Sequence, residues 1–385
     1  MSTDLVITGA TLLTSAGSSF VDVSLADGRI ESVQPHGEIT GTGRVLDADG
    51  AIISPGMIDL HIHGAFGAVF DDCDATAFAD VTAGLAQRGV TTIQTSIVSQ
   101  PIERMAERIA TLTPLLGPQL SRSTAVGIHL EGPFLSPIQA GAHEPSALRE
   151  PSDDDLKLIH DHQDAISMIT VAAELPRMEE LITLCRESSV VTALGHSDGE
   201  LDDFDRARAA GASHITHLWS CQSMVRRHGP WRVPGMLESA LASDLSAEII
   251  ADGKHLPPTL LEIARRCLAD RLVVVSDATP GAGMPAGYRY QLGTVQCVVA
   301  DGVGMIEGQD AFAGSTTLLD DMVRHLVRDL GWPMHQVLPM VTSTPASVLE
   351  RPDLGVVKPG ARADLLLWDA DLSIREVIIG GQRLG

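Results

Sequence analysis

Short apolar runs alternate with helical patterns along most of the chain. Between residues 56 and 350, apolar runs of five to eight residues are each followed by a segment with apolar residues at helical spacing. Such alternation is typical of repeated βα units and a parallel sheet. The predicted strands are 57–63, 91–98, 125–131, 167–172, 190–196, 214–218, 247–251 and 272–277. Eight parallel strands close most simply as a (β/α)8 TIM-like barrel.

The two chain ends follow a different pattern. Residues 4–53 and the last thirty or so residues consist of short alternating strands broken by Gly and Asp turns. We therefore predict that both termini join one small β domain, with residues 1–54 and 352–385 in it and residues 55–351 in the barrel. Residues 280–314 change to short strands and glycines, which indicates an insertion after the eighth strand.

Composition and charge narrow the class of protein. Hydrophobic residues make up 44% and charged residues 20% of 385 residues, as in ordinary globular proteins. The 27 Lys and Arg against 50 Asp and Glu give a net charge of −23, which argues against nucleic acid and anionic membranes as partners. A small anionic substrate is still compatible with a few local arginines.

The cysteines and the start of the chain indicate a cytoplasmic protein. Five cysteines without C-x-x-C spacing favour neither a disulfide framework nor a thiolate zinc site. The first residues lack the basic region and cleavage site of a signal peptide, and no uncharged apolar run reaches the length of a membrane span.

Polar residues that suit a metal ion stand where predicted strands give way to loops. Because the carboxyl ends of barrel strands meet at the rim that carries the chemistry of barrel enzymes, these residues are expected to converge. Any one histidine alone is equally consistent with a buried structural role, but the whole set favours a metal site. The candidate ligands are His61, His63, Glu131, His196, His217 and Asp277.

The number of ligands indicates one or two divalent ions. A single open catalytic site uses about three protein ligands, so His61 and His63 are assigned to one ion and His196 and His217 to another. Glu131 is expected to bridge them, because no lysine ends the third or fourth strand. Imidazole and carboxylate ligands suit zinc, ranked first here, and also iron, cobalt or manganese.

Several segments resemble a known family in the order in which they occur. They are PGMIDLHIHG (55–64), GIHLEGPFLSPIQAGAHEP (127–145), ALGHSDG (193–199), ITHL (215–218), IIADGKH (249–255), VVSDATPGAG (274–283) and FAGSTTLLDDMV (312–323). Together they are similar to N-acetylglucosamine-6-phosphate deacetylases of the amidohydrolase superfamily, and the HLEGPF to GAH block is the most specific of them.

The resemblance implies a fold and a set of roles. The fold is a metal-dependent barrel with a small β-sandwich built from both termini. By match to the family motifs, Glu131, His196 and His217 form the main metal site and Asp277 is the catalytic acid/base. His143 and His255 match histidines that contact the substrate.

One stretch departs from the family pattern. After His217 the family continues with an Asn-Ala-Met-like segment, whereas this chain has Trp-Ser-Cys-Gln-Ser-Met after Leu218. The arginine loop that follows keeps its closing Pro-Gly, so Arg232, with Arg227 behind it, is the expected phosphate ligand. In the family this arginine crosses a dimer interface, which implies a homodimer here.

The expected reaction is hydrolysis of the N-acetyl amide of an amino sugar phosphate, in first place N-acetylglucosamine 6-phosphate, to the free amine and acetate. A metal-activated water would attack the carbonyl, with Asp277 moving the proton and His143 assisting at the oxyanion. The altered segment 218–224 leaves another N-acyl amino sugar or an N-acyl amino acid open as substrate. A metal- or sugar-binding relative without turnover is the alternative from another class, and a hydantoinase-like enzyme ranks third.

Overall fold

The computed structural model describes residues 3–39, 43–119 and 121–384. Within these residues, eight parallel strands form one sheet in which each strand lies beside the next one along the chain. Helices follow most of these strands. The strands are Met57–Ile62, Val90–Val98, Thr124–Glu131, Ile166–Val171, Val191–Leu194, His214–Ile215, Ser246–Ile250 and Leu272–Val275. The predicted barrel is confirmed, and most predicted strand bounds differ by one to three residues.

The barrel closes between its first and eighth strands at the carboxyl rim. The main-chain N–H of Asp277 donates to the carbonyl of His61 at 2.9 Å, and the N–H of His63 donates to the carbonyl of Ala278 at 2.8 Å. These bonds lie just past the end of the eighth strand, at Val275. Closure therefore brings three of the predicted site residues, His61, His63 and Asp277, onto adjoining backbone.

Helices cover the outside of the barrel. Their apolar faces pack on the outward-facing strand residues and form one continuous core. The α-helices of the described residues are Ala75–Gln87, Ile102–Leu112, Asp153–Asp161, Met178–Glu187, Leu201–Ala210, Met236–Ala242, Pro258–Leu268, Leu319–Arg324, Met334–Met340 and Ser343–Val348.

The barrel interior is unusually polar. Alternate residues of a strand point to opposite faces, so each strand sends one set of side chains to the helices and the other to the barrel axis. On the axis, His129 contacts the hydroxyl of Ser96 at 2.9 Å and that of Thr170 at 2.8 Å, and Thr170 contacts Thr216 at 2.8 Å. Hydrogen-bonded polar side chains thus occupy part of the space beneath the rim.

Both chain ends contribute to a second sheet, as predicted. Ile52–Pro55 pairs antiparallel with Leu365–Trp368 and parallel with Leu5–Thr14, which joins the two termini. The division at residues 54/55 and 351/352 stays a prediction, and residues 1, 2, 40–42, 120 and 385 of those ranges lie outside the described residues. The strands are Leu5–Thr14, Gly17–Ala26, Arg29–Pro35, Arg44–Asp47, Ile52–Pro55, Leu365–Trp368, Ile374–Ile379 and Gln382–Arg383.

Three further small strand pairings lie at the carboxyl rim. The predicted insertion after the eighth strand contains the antiparallel strands Arg289–Leu292, Val295–Ala300 and Val303–Ile306. A hairpin pairs Arg226–His228 with Trp231–Val233, and a short one follows the first barrel strand. These segments surround the end of the barrel at which the candidate site lies.

Replacing Asp22 with Asn should destabilise the terminal sheet. The buried Asp22 carboxylate accepts bonds of 2.8 Å from the Gly9 N–H, the Gly37 N–H and the His36 ring. Burial raises the pKa of Asp22, but these bonds outweigh it and hold the pKa below its usual 3.8. We expect the free energy of unfolding at pH 7 to fall by about 1–3 kcal/mol, measured by urea denaturation.

The pH dependence of this loss follows from the sign of the shift. A depressed folded-state pKa contributes stability above the unfolded value of 3.8, and the contribution disappears as the pH falls through the folded pKa. The difference between the two proteins should therefore shrink between pH 7 and pH 3. Asp27→Asn is the control, because Asp27 is an exposed turn residue of the same sheet. An equal loss in both variants would contradict the assignment.

Candidate active site

The six predicted ligands converge at the carboxyl rim of the barrel. His61 lies in the first strand and Glu131 ends the third. His196 and His217 follow the fifth and sixth strands by two residues, as Asp277 follows the eighth. All six are buried, with exposed fractions between 0% for His61 and 8% for Asp277. The fold thus brings together residues that are more than two hundred positions apart in sequence, as His61 and Asp277 are.

One cluster forms around the two histidines of the first strand. The Nε2 atoms of His61 and His63 lie 3.2 Å apart. Asp277 Oδ1 lies 3.6 Å from Nε2 of His61 and 3.4 Å from Nε2 of His63. Glu131 closes the group, with Oε1 3.4 Å from His61 and Oε2 3.2 Å from His63. Four donor groups therefore face one small volume.

A second cluster lies on the other side of Glu131. The Nε2 atoms of His196 and His217 lie 3.2 Å apart, and Glu131 Oε1 lies 3.1 Å from the first and 2.9 Å from the second. The carboxylate of Glu131 thus stands between the two histidine pairs. Burial would raise the pKa of Glu131, but the surrounding imidazoles, His61 and His143 foremost, hold it well below its usual range.

The donor set and its spacing fit divalent metal ions. Ligands bound at about 2.0–2.1 Å in a tetrahedron lie about 3.3–3.4 Å from one another. The donor atoms of both clusters are separated by 2.9–3.6 Å. The Nδ1 of His196 donates to the carbonyl of Gln139 at 2.8 Å, so its Nε2 carries the lone pair that a metal requires.

The backbone is strained at two of these residues. His196 and Asp277 both have φ of +46°, in the left-handed region that non-glycine residues rarely adopt. Such conformations cost of order 1–3 kcal/mol each and tend to occur at functional sites. Here the strain turns each side chain inward just past the end of its strand.

His143 and His255 line the same cavity. The Nδ1 of His143 accepts a hydrogen bond from the Ser99 N–H at 3.2 Å, so its Nε2 carries the proton and points at Glu131 Oε2, 3.2 Å away. Burial lowers the pKa of His143 to about 4, which keeps the ring neutral and a donor. The Nδ1 of His255 contacts Asp252 at 2.7 Å.

The cavity above the clusters is about 390 Å³. Apolar residues form much of its wall, among them Val98, Trp219, Leu292 and Phe312. Trp219 belongs to the segment that departs from the family pattern, so that departure lies within the cavity itself. A larger space of about 850 Å³ opens at the opposite end of the barrel, but none of the six clustered residues reaches it.

The two predicted arginines are not brought to this cavity. Arg227 and Arg232 are paired with each other across the exposed hairpin, and the Arg232 guanidinium donates to the carbonyl of Pro230 at 3.0 Å. Neither residue is among those that line the cavity. Their role as phosphate ligands stays a prediction. Within one protomer, the hairpin does not bring either arginine to the cavity.

Sequence reasoning missed Glu248. This carboxylate is fully buried beneath both clusters and lies 3.2 Å from Nδ1 of His61. The available signal was a single acidic residue inside the otherwise apolar run from Ala247 to Ala251. Such a residue in a buried strand requires a partner, but the sequence does not show which one.

Comparison with known proteins assigns the chain to a class. The model of the amidohydrolase family matches residues 52–384, so the chain belongs to the amidohydrolase family. It is accordingly a metal-dependent hydrolase of carbon–nitrogen bonds. No helix among the described residues is long and apolar enough to cross a bilayer.

Within that class the chain belongs to the N-acetylglucosamine-6-phosphate deacetylase family. It is 31% identical over 350 residues to N-acetylglucosamine-6-phosphate deacetylase of Bos taurus, covering 87% of this chain and 84% of that protein. It is 30% identical to N-acetylgalactosamine-6-phosphate deacetylase of Escherichia coli O157:H7, covering 93% of each. A variant of the Mycobacterium smegmatis N-acetyl-D-glucosamine-6-phosphate deacetylase, solved with N-acetyl-D-glucosamine-6-phosphate, superposes over 100% of both chains with a TM-score of 0.90 and 28% identity.

Proposed function

We propose that this chain hydrolyses the N-acetyl amide of N-acetylglucosamine 6-phosphate to glucosamine 6-phosphate and acetate. The observation that carries the proposal is the pair of histidine clusters joined by Glu131, with the Asp277 carboxylate beside them on the cavity floor. The names of the similar proteins support the choice of an acetylated amino sugar 6-phosphate.

The site residues have different roles in the proposed hydrolysis. Divalent metal ions held by these ligands would lower the pKa of water and polarise the amide carbonyl. Asp277 takes the proton released by the attacking water and returns it to the leaving nitrogen. Burial raises the pKa of Asp277, but His63 and its neighbours outweigh this and hold it below 3.8, so the carboxylate is ready to accept a proton at pH 7. We propose that His143 donates to the developing oxyanion from its Nε2–H, which in this structure points at Glu131 Oε2.

We propose two ions, with zinc as the metal. The two clusters and the position of Glu131 in contact with both support two ions. Histidine and carboxylate ligands without thiolate support zinc. Iron, cobalt and manganese also bind such ligands. Metal analysis of purified protein by mass spectrometry tests both statements: one ion per chain at saturation would contradict the first.

A substrate panel tests the proposed reaction. Acetate release should be measured with the 6-phosphates of N-acetylglucosamine and N-acetylgalactosamine, with unphosphorylated N-acetylglucosamine and with an N-acetyl amino acid. We expect the highest kcat/KM with N-acetylglucosamine 6-phosphate. The Escherichia coli relative supports the galactosamine sugar as the second candidate, and the altered segment after Leu218 is the reason for testing other N-acyl compounds. Higher kcat/KM with an unphosphorylated compound would contradict the phosphate assignment.

Arg232→Gln should raise KM for phosphorylated substrates. We propose that Arg232, with Arg227 behind it, binds the phosphate in the cavity of a second subunit of a homodimer. The exposed hairpin, with Trp231 at 74% exposure, supports an interface there. A charge-assisted hydrogen bond contributes about 1.5–3 kcal/mol, so kcat/KM should fall about 10- to 100-fold. The unphosphorylated sugar and the exposed Arg206→Gln variant are the controls.

Subunit mixing separates this assignment from an action within one protomer. A heterodimer of Arg232→Gln and Asp277→Asn subunits contains one cavity with both an intact Asp277 and a neighbour's Arg232. Mixing the two variants should therefore restore activity on the phosphorylated substrate. If mixing restores nothing although light scattering shows dimers, Arg232 does not act across the interface.

A further inference from the structure

Glu248 lies under both metal clusters and touches one histidine of each. Its carboxylate is fully buried on the seventh barrel strand. Oε2 accepts from Nδ1 of His61 at 3.2 Å and from the main-chain N–H of His217 at 3.2 Å. Oε1 faces Nε2 of His214 at 3.2 Å. One side chain therefore connects the first, sixth and seventh strands below the rim.

The bond to His61 determines which nitrogen faces the metal site. An ionised carboxylate only accepts hydrogen bonds, so the proton of the neutral His61 ring must be on Nδ1. Its Nε2 then presents a lone pair to the volume shared with His63 and Asp277. A protonated Nε2 would remove His61 from the ligand set.

Each cluster has one imidazole held from behind and one whose Nδ1 is buried without a hydrogen-bond partner among the described residues, His63 in the first cluster and His217 in the second. In the second cluster the His196 ring is fixed by the carbonyl of Gln139. The bond from Glu248 is therefore the one hydrogen bond, among those same residues, that orients an imidazole of the first cluster from behind. The first cluster depends on Glu248 more strongly than the second.

We propose that Glu248 is a positioning residue that makes the His61, His63 and Asp277 cluster bind its ion. This inference rests on the proposed function only in assuming that both clusters hold metal. Carboxylates behind a ligating histidine fix the ring and increase its basicity, and their replacement typically costs about 10- to 100-fold in metal affinity. Glu248 thus controls whether the chain holds one ion or two.

Metal titration of graded variants tests the proposal. Glu248→Gln keeps the shape and one acceptor oxygen, whereas Glu248→Leu removes both acceptors. Zn²⁺ content per chain is measured by mass spectrometry after dialysis against a chelator series, alongside urea unfolding to verify the fold. We expect the weaker-binding ion to lose affinity about tenfold in Glu248→Gln and about 100-fold in Glu248→Leu, with the other ion retained.

Two further proteins make the test specific. Asp59→Asn is the matched control, because Asp59 is a buried carboxylate that accepts from main-chain N–H groups of His61 and Ser276 and holds no ligand ring. Adding Glu248→Gln to His61→Asn should change Zn²⁺ affinity by less than about twofold, since Glu248 acts through His61.

The outcomes separate this inference from the proposed function. Equal Zn²⁺ affinity in folded Glu248→Gln and wild type, equal losses at both ions, or a full effect in the His61→Asn background would each overturn the positioning role. Wild-type protein that binds one ion only would also overturn it. Two ions bound with the expected Glu248 effect, but no release of acetate from any sugar phosphate, would instead refute the proposed reaction and leave this inference standing.

Discussion

Asp277→Asn is expected to reduce kcat for acetate release by about 10²- to 10⁴-fold, the usual contribution of a positioned general acid/base. Asn has nearly the same shape but neither accepts nor returns a proton at neutral pH. It also tolerates the left-handed backbone at this position, where φ is +46°. The fold and the ion that we propose is held by Glu131, His196 and His217 should therefore survive the change, and KM should change far less than kcat.

Asp301→Asn is the matched control for this experiment. Asp301 has φ of +50° and is exposed on the insertion after the eighth strand, outside the cavity. Its replacement should leave kcat within a factor of two. Steady-state kinetics on metal-loaded protein, with metal content measured on the same samples, decides the matter. An Asp277→Asn enzyme that keeps wild-type kcat would exclude Asp277 as the proton carrier.

Glu131→Gln is expected to cause the second large loss. Glu131 faces the Nε2 atoms of both histidine pairs, with Oε1 toward His217 at 2.9 Å and Oε2 toward His63 at 3.2 Å. Its replacement removes the charge shared by both clusters. Metal provides several kcal/mol of transition-state stabilisation, so activity should fall by about 10³-fold or more together with the metal content.

Removing the metal with a chelator is an independent way to obtain metal-free protein. Wild-type protein dialysed against chelator should lose acetate release and regain it when Zn²⁺ is returned, whereas Glu131→Gln should not regain it at the same Zn²⁺ concentration. Glu144→Gln is the control, because Glu144 lies on the same rim next to His143 but does not line the cavity. Activity that persists in protein shown to be free of metal would refute the metal-dependent mechanism.

The barrel was predictable because its signal is local. A buried parallel strand reads as a short apolar run wherever it occurs, and eight such runs separated by helical patterns leave few alternatives to closure. The fifth and sixth strands show the limit of this reasoning. The apolar runs extend toward His196 and His217, but the ladders end at Leu194 and Ile215, where the backbone leaves the sheet.

The sequence also indicated which side chains meet, but not how each one is oriented. Residues that follow parallel strands must lie at one rim, so His61, Glu131 and Asp277 were expected together. The bonds that orient the imidazoles come from elsewhere, from Gln139 in a loop and Glu248 on another strand. No spacing rule connects these residues to the histidines.

By itself, then, the sequence determined the barrel, the joining of both termini in one sheet and the set of residues at the carboxyl rim. These follow from alternation along a strand and from the common direction of parallel strands, which are short-range properties of the chain. Only the tertiary structure decided the tautomers and the place of Glu248. Those depend on contacts between residues distant in sequence, which form only when the barrel closes.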